Sequence, residues 1–172
     1  MWDTTRIRYE FALERADPAL ISNVRCAAFV DHRVVLIDTE ESGLSALPGG
    51  MLEQGEPWQS ALERELLEET GTRPLSVEIV GRIRLWSDAD GPVRPYLPFP
   101  EFHQVVTYAE VEVVGPPTNP VDGEHVLSVQ LEPVSRAIEQ LRDTNPFEAQ
   151  LLDLIGEMRN ERYRRESEGS SL

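Results

Sequence analysis

The chain has 172 residues, 40% of them hydrophobic and 27% charged, which is the composition of a folding chain and not of a disordered one. Its 31 acids outweigh 16 bases, all arginine, for a formal charge of −15, and this excludes a general nucleic-acid binder for want of a basic surface. No apolar run approaches the roughly 18 residues of a membrane span, the opening MWDTTRIRYE lacks a signal-peptide core, and the single Cys26 cannot pair within the chain, so we expect a cytoplasmic protein forming one domain over residues 1–172.

In chain order, residues 24–30 and 33–39 read as short strands rich in Val, Ala and Ile around the polar Asp31-His32, the pattern of a hairpin. Cys26 falls within the first apolar run, as a small core residue would. Residues 40–46 are polar, and Leu47-Pro48-Gly49-Gly50 closes that loop with glycines that reach conformations other residues resist. Residues 57–70 carry helix signals at both ends, Pro57 at the start and Gly71 just past the finish. Two long strands are predicted over 75–86 and 102–114, separated by a proline-dense loop at 87–101. A second loop spans 115–123, an alternating strand 126–131, and a short helix 133–141. Phe147, Leu151, Leu154, Ile155 and Met158 then keep a helical period, giving a final helix over about 146–165 whose charged tail is expected to fray.

The helix over 57–70 departs from an ordinary amphipathic pattern. At about 100° per residue, Trp58, Ala61, Leu62, Glu65, Glu68 and Glu69 share one side, so the apolar stripe turns into a carboxylate stripe on the face assigned to the interior. Like charges three and four residues apart oppose helix formation by about 0.2–0.5 kcal/mol per pair, and desolvation adds to that. A hard cation would compensate: magnesium prefers oxygen ligands and leaves positions for phosphate and water. Arg64 lies beside the stripe, within reach of Glu56 or Glu68. A merely charged surface helix is the alternative that these residues alone leave open.

The spacing goes further. GGMLEQGEPWQSALERELLEETGT resembles the Nudix box, G-x5-E-x7-R-E-U-x-E-E-x-G-U with U a bulky aliphatic residue, in register from Gly50 through Glu56, Arg64, Glu65, Leu66, Glu68, Glu69 and Gly71. Thr72 alone departs, standing where the final aliphatic residue belongs. The wider resemblance runs over about residues 24–141. It implies an α/β fold with a mixed β-sheet sandwiched between helices, and a magnesium-dependent hydrolase, with Mn2+ as a substitute, that cleaves a diphosphate linkage in a small nucleotide-type substrate. By the same resemblance Glu65, Glu68 and Glu69 hold metal with the Gly50 carbonyl, Glu56 and Arg64 pair to fix the loop against the helix, and Glu65 orients or deprotonates the attacking water. Some family members take that base from a later loop.

Outside the box, no histidine pair has zinc spacing and no G-x-S-x-G elbow is present. Asp122 and Glu124 precede the last strand, where a solvated role competes with substrate contact. Arg94 is the only base in the loop 87–101, so it is that loop's candidate for pairing with a phosphate, and Trp86, Tyr96, Phe99 and Phe102 are candidates for stacking on a base. The family's ADP-ribose proline, expected near Ser87 or Asp88, is missing, and the substrate stays open between a nucleoside diphosphate linked to another group and a nucleoside triphosphate. A catalytically silent nucleotide-binding or regulatory domain on the same fold is the competing class. A homodimer is one way to bury the face from Phe147 to Met158; packing on its own domain is another.

Overall fold

The computed structural model describes residues 6–121 and 124–169. Its elements are β1 (Ile7–Ala12), β2 (Ile21–Val30), β3 (Arg33–Thr39), β4 (Gly43–Ser45), α1 (Trp58–Thr70), β5 (Thr72–Ser87), β6 (Glu101–Val113), β7 (Val126–Pro133), α2 (Val134–Leu141) and α3 (Pro146–Gly169). The strands form one sheet in the order β1-β5-β6-β2-β3-β4, with β7 also paired to β3. Among the described residues only β2 and β6 run parallel and every other strand pairing is antiparallel, so the sheet is mixed, as expected.

The near-continuous apolar runs of the central strands are explained by burial on both faces. Val24, Cys26 and Ala28 of β2 and Val35 and Ile37 of β3 pack against Ala61, Leu62 and Leu66 of α1. The alternate residues, Ala27, Phe29, Val34 and Leu36, pack on the opposite face against Ala137 and Leu141 of α2 and Leu152 and Ile155 of α3. Within this arrangement Cys26 is fully buried, and desolvation pushes its thiol up to about 12, which leaves it an inert core residue.

The expected hairpin is present but short. β2 and β3 pair only at Phe29↔Val34 and Val30↔Arg33, around Asp31 at φ 54°. The two strands then part: β3 pairs along its length with β7, while β2 takes the glycine-rich loop as its neighbour. Cys26 N donates to the Pro48 carbonyl (2.9 Å), Val24 N to Gly50 (3.0 Å) and Leu52 N to Ser22 (2.9 Å). The loop is thereby held at the centre of the sheet by backbone hydrogen bonds.

Three features differ from the sequence expectation. β1 is absent from that expectation because its residues are largely exposed; it forms by pairing with the edge of β5 and by an edge-on contact of Tyr9 with Phe147 at 5.1 Å. β4, in the stretch read as loop, is only three residues long. α3 runs past residue 165 to Gly169, since the tail expected to fray is laced by Arg162–Glu166 and Arg165–Glu161 pairs and tied to β5 through Arg162–Glu78. Nearer the core, Arg159 is buried over the Phe29 ring at 4.3 Å and paired with Glu110 at 2.7 Å. The apolar face of α3 is covered inside the chain, so it supplies no argument for a dimer.

Candidate functional site

Helix α1 carries the carboxylates. Pro57 precedes it in an extended conformation, and Gly71 ends it at φ 66°, its N–H reaching the carbonyls of Leu66 and Leu67. A β-carbon at Gly71 would lie 2.0 Å from the Gly115 carbonyl oxygen, so the helix end is pinned to the segment after β6. Thr72, the residue out of pattern, is buried and shares a 2.6 Å hydrogen bond with Thr70, which gives its hydroxyl a partner in the core.

Arg64 links helix and loop. Its Nε and Nη2 donate to the two oxygens of Glu56 (3.0 and 2.9 Å), Nη2 also to the Met51 carbonyl (3.0 Å), and Nη1 to Glu65 (2.8 Å) and Glu68 (3.4 Å). The bidentate pair holds the Glu56 carboxyl below its ordinary range and raises the arginine. Glu56 also accepts from Glu53 N at 2.8 Å, which closes the loop on itself. The expected Glu56–Arg64 pairing is thus present, with Glu68 a weaker partner.

Glu65 and Glu69 are buried. Desolvation raises the carboxyl of Glu65 despite Arg64 beside it. Glu69 is pushed up to about 8, chiefly by desolvation and further by Glu65 and Glu124, against the Gly49 N–H that it accepts at 2.7 Å and the nearby Arg25. A β-carbon at Gly50 would meet Glu65 Oε1 at 2.4 Å, so a side chain there would displace the Glu65 carboxylate. The Gly50 carbonyl already accepts from Val24 N, which leaves one lone pair.

These residues line a cleft of about 620 Å³ together with Asn23, Arg25, Glu68, Arg94, Tyr96 and Glu124. The proline-dense loop therefore does reach the site, through Arg94 and Tyr96, whereas Trp86, Phe99 and Phe102 are not among its lining residues. Trp86 instead stacks with Arg84 at 4.2 Å. Glu124 enters the wall and accepts from the Thr39 hydroxyl at 2.6 Å, and Asp122 lies outside the described residues. His103 is buried, its Nδ1 accepting from Asp17 N at 3.1 Å, and takes no part in the cleft. Arg25 and Asn23 are cleft residues that the sequence reading missed. The available signal was a charged side chain inside the otherwise apolar run VRCAAFV, a break of pattern of the same kind that marked Glu65.

The donor chemistry suits a hard cation. Among the described residues no three acidic, histidine or cysteine side chains stand as a ready-made metal cage, and Glu65 and Glu68 are paired with Arg64. Yet Glu65 and Glu69 both line the cleft, Glu65 Oε2 and Glu69 Oε1 accept from no protein donor among those residues, and two desolvated carboxylates close together need positive charge.

A family model described as the NUDIX domain matches residues 20–155, somewhat beyond the 24–141 span of the sequence resemblance. Among solved structures, a NUDIX hydrolase from Nitrosomonas europaea is 19% identical with a TM-score of 0.58, covering 77% of this chain and 86% of its own. The pyrophosphohydrolase BsRppH of Bacillus subtilis, in a mutant form, is 18% identical with a TM-score of 0.55, covering 72% and 70%. An ADP compounds hydrolase is 18% identical with a TM-score of 0.55, covering 81% and 73%. With the box in register on α1, its glutamates facing one cleft and the family model spanning most of the sequence, this chain belongs to the Nudix family.

Proposed function

We propose that this chain, as one domain acting in the cytoplasm, is a magnesium-dependent Nudix hydrolase. Its substrate would be a small nucleotide-type molecule, either a nucleoside diphosphate linked to another group or a nucleoside triphosphate, cut at a diphosphate linkage by water attacking phosphorus in line. The observation that carries this reading is the pair of buried carboxylates Glu65 and Glu69 opening onto a cleft that also holds arginines. Solved relatives of the same fold include a pyrophosphohydrolase and an ADP compounds hydrolase, which favours diphosphate chemistry. Among the described residues, no helix is long and apolar enough to cross a membrane.

Glu65, Glu68, Glu69 and the Gly50 carbonyl would hold magnesium, or manganese in its place. The ion supplies neutralisation of phosphate charge and a more acidic water. Glu56 and Arg64 keep the loop against the helix, and Glu65 orients the attacking water. Glu124, which lines the cleft near Glu69, contacts the substrate. A panel of nucleotides assayed for phosphate or nucleotide release, with magnesium and with excess chelator, tests the proposal. Turnover of at least one substrate that disappears in chelator and returns with magnesium or manganese is expected; full activity in chelator, or no turnover across the panel, would favour a silent binding domain.

Arg94 is exposed, lines the cleft, and its side chain is in no ion pair among the described residues, including none with Asp88, whose carboxylate accepts from Arg6 N. We assign it to a phosphate or distal anionic group. Arg94→Ala is expected to weaken substrate binding by about 1–3 kcal/mol while leaving magnesium binding intact. Steady-state kinetics with an unchanged kcat/KM would place recognition elsewhere.

A further inference from the structure

Three arginines line the cleft of this strongly acidic chain, and they are not equivalent. Arg64 has all five of its N–H donors directed at protein oxygens: Glu56 twice, Glu65, Glu68 and the Met51 carbonyl. It has none left for a ligand. Arg94 stands at the exposed rim on a loop. Arg25 is half-buried on β2, a central strand, and only its Nη1 is engaged, by the Leu47 carbonyl at 3.2 Å. Its remaining donors have no protein partner among the described residues.

This is an unusual state for a cation with acids around it. Arg25 acts electrostatically on Glu69 and shares a wall with Glu124, yet it forms no ion pair with either among the described residues. It is also one of four residues, with Gly49, Glu69 and Glu124, that line both the main cleft and a smaller compartment of about 130 Å³ bounded by Ser45, Asn145 and Glu148. A guanidinium anchored at one corner, on a rigid strand, with its fork open between two cavities has the form of an anion receptor, because its planar donors match two oxygens of one phosphate.

We propose that Arg25 is a substrate-binding residue that donates two hydrogen bonds to the innermost phosphate of the diphosphate linkage at the junction with the smaller compartment. This deepens the hydrolase reading and rests on it for the nature of the substrate. Exposed Arg94 and half-buried Arg25 would then contact different parts of the anionic group.

Calorimetric titration with inorganic pyrophosphate in saturating magnesium, on wild type, Arg25→Gln and Arg25→Lys, tests this. Wild type should bind, Arg25→Gln should bind about ten- to a hundredfold more weakly, and Arg25→Lys should fall between, since it keeps a point charge without the fork. Magnesium titrated alone should bind Arg25→Gln as tightly as wild type or more tightly, because a cation beside Glu69 has gone. No pyrophosphate binding by wild type, equal affinities for wild type and Arg25→Gln, or a parallel loss of magnesium affinity that marks a displaced Leu47–Gly50 loop would each overturn the proposal. Pyrophosphate binding with the expected order, together with no nucleotide turnover by wild type, would overturn the hydrolase reading alone.

Discussion

Replacing Glu69 by Gln is expected to lower turnover at least about a hundredfold while making the metal-free protein more stable than wild type at neutral and alkaline pH. The activity loss follows from removing a carboxylate charge at the proposed magnesium site, where fixed charge acts on the transition state in a desolvated setting. The stability gain follows from the same burial. Glu69 has a folded pKa raised from 4.5 to about 8, chiefly by desolvation. Its contribution is therefore fully present below about pH 4.5 and is lost as pH rises through about 8, where the folded chain must hold a desolvated charge. The substituted glutamine is neutral throughout and can still accept the Gly49 N–H on its amide oxygen. The stability of the variant relative to wild type should grow between about pH 4.5 and 8 and level off above, reaching on the order of a few kcal/mol.

Thermal unfolding in chelator across that range, beside kcat in magnesium, checks both halves. Magnesium affinity of wild type should rise over the same pH window, because the ion displaces the Glu69 proton. Glu68→Gln should lose turnover similarly, whereas Glu63→Gln, on the exposed side of α1, should change little. A Glu69→Gln enzyme with near-wild-type turnover would sink the assignment of the site. A flat stability difference with pH would show that Glu69 is charged in the folded metal-free protein.

Replacing Gly49 by Ala should cost the fold roughly 3–5 kcal/mol. Gly49 has φ +145°, and a β-carbon there would lie 2.1 Å from the Val24 carbonyl oxygen, with Val24 C at 2.9 Å and Arg25 Cα at 3.1 Å. Those atoms are the backbone of a central strand, so they cannot yield as a side chain would. Gly55 provides the comparison: it also has positive φ, at +74°, but has nothing within 4 Å of the added carbon. Gly55→Ala should cost only about 1–2 kcal/mol, the conformational penalty alone. Denaturant unfolding of both variants separates the two causes; equal losses would mean that the close approach of the loop to β2 contributes nothing.

The consequence of Gly49→Ala extends to the site. The Gly49 N–H holds Glu69, Gly50 abuts Glu65, and Pro48 and Gly50 pair with β2. Any Gly49→Ala molecules that fold should carry displaced carboxylates, so activity per folded molecule should fall as well.

Much of this protein is written locally in its sequence. Runs such as VRCAAFV and RVVLID specify strands because they alternate between two buried faces, and Pro57 and Gly71 mark the ends of α1 through their own backbone restrictions. The acids at 65, 68 and 69 stand out because they occupy positions that the helical period assigns to the interior. Tertiary structure decided what local pattern cannot carry. β1 exists only because β5 offers an unpaired edge, and α3 extends to Gly169 through side-chain pairs, including one to β5. The parting of β2 from β3, which admits the glycine-rich loop beside β2, is a matter of which backbone groups find partners across long separations. The arrangement of the strands as a whole brings Arg25 from one strand, Arg94 from a loop far along the chain and Glu124 from another loop to the same cleft as the carboxylates of α1. Periodicity reports which side of its own element a residue faces, whereas convergence on a site depends on how the elements are arranged in space.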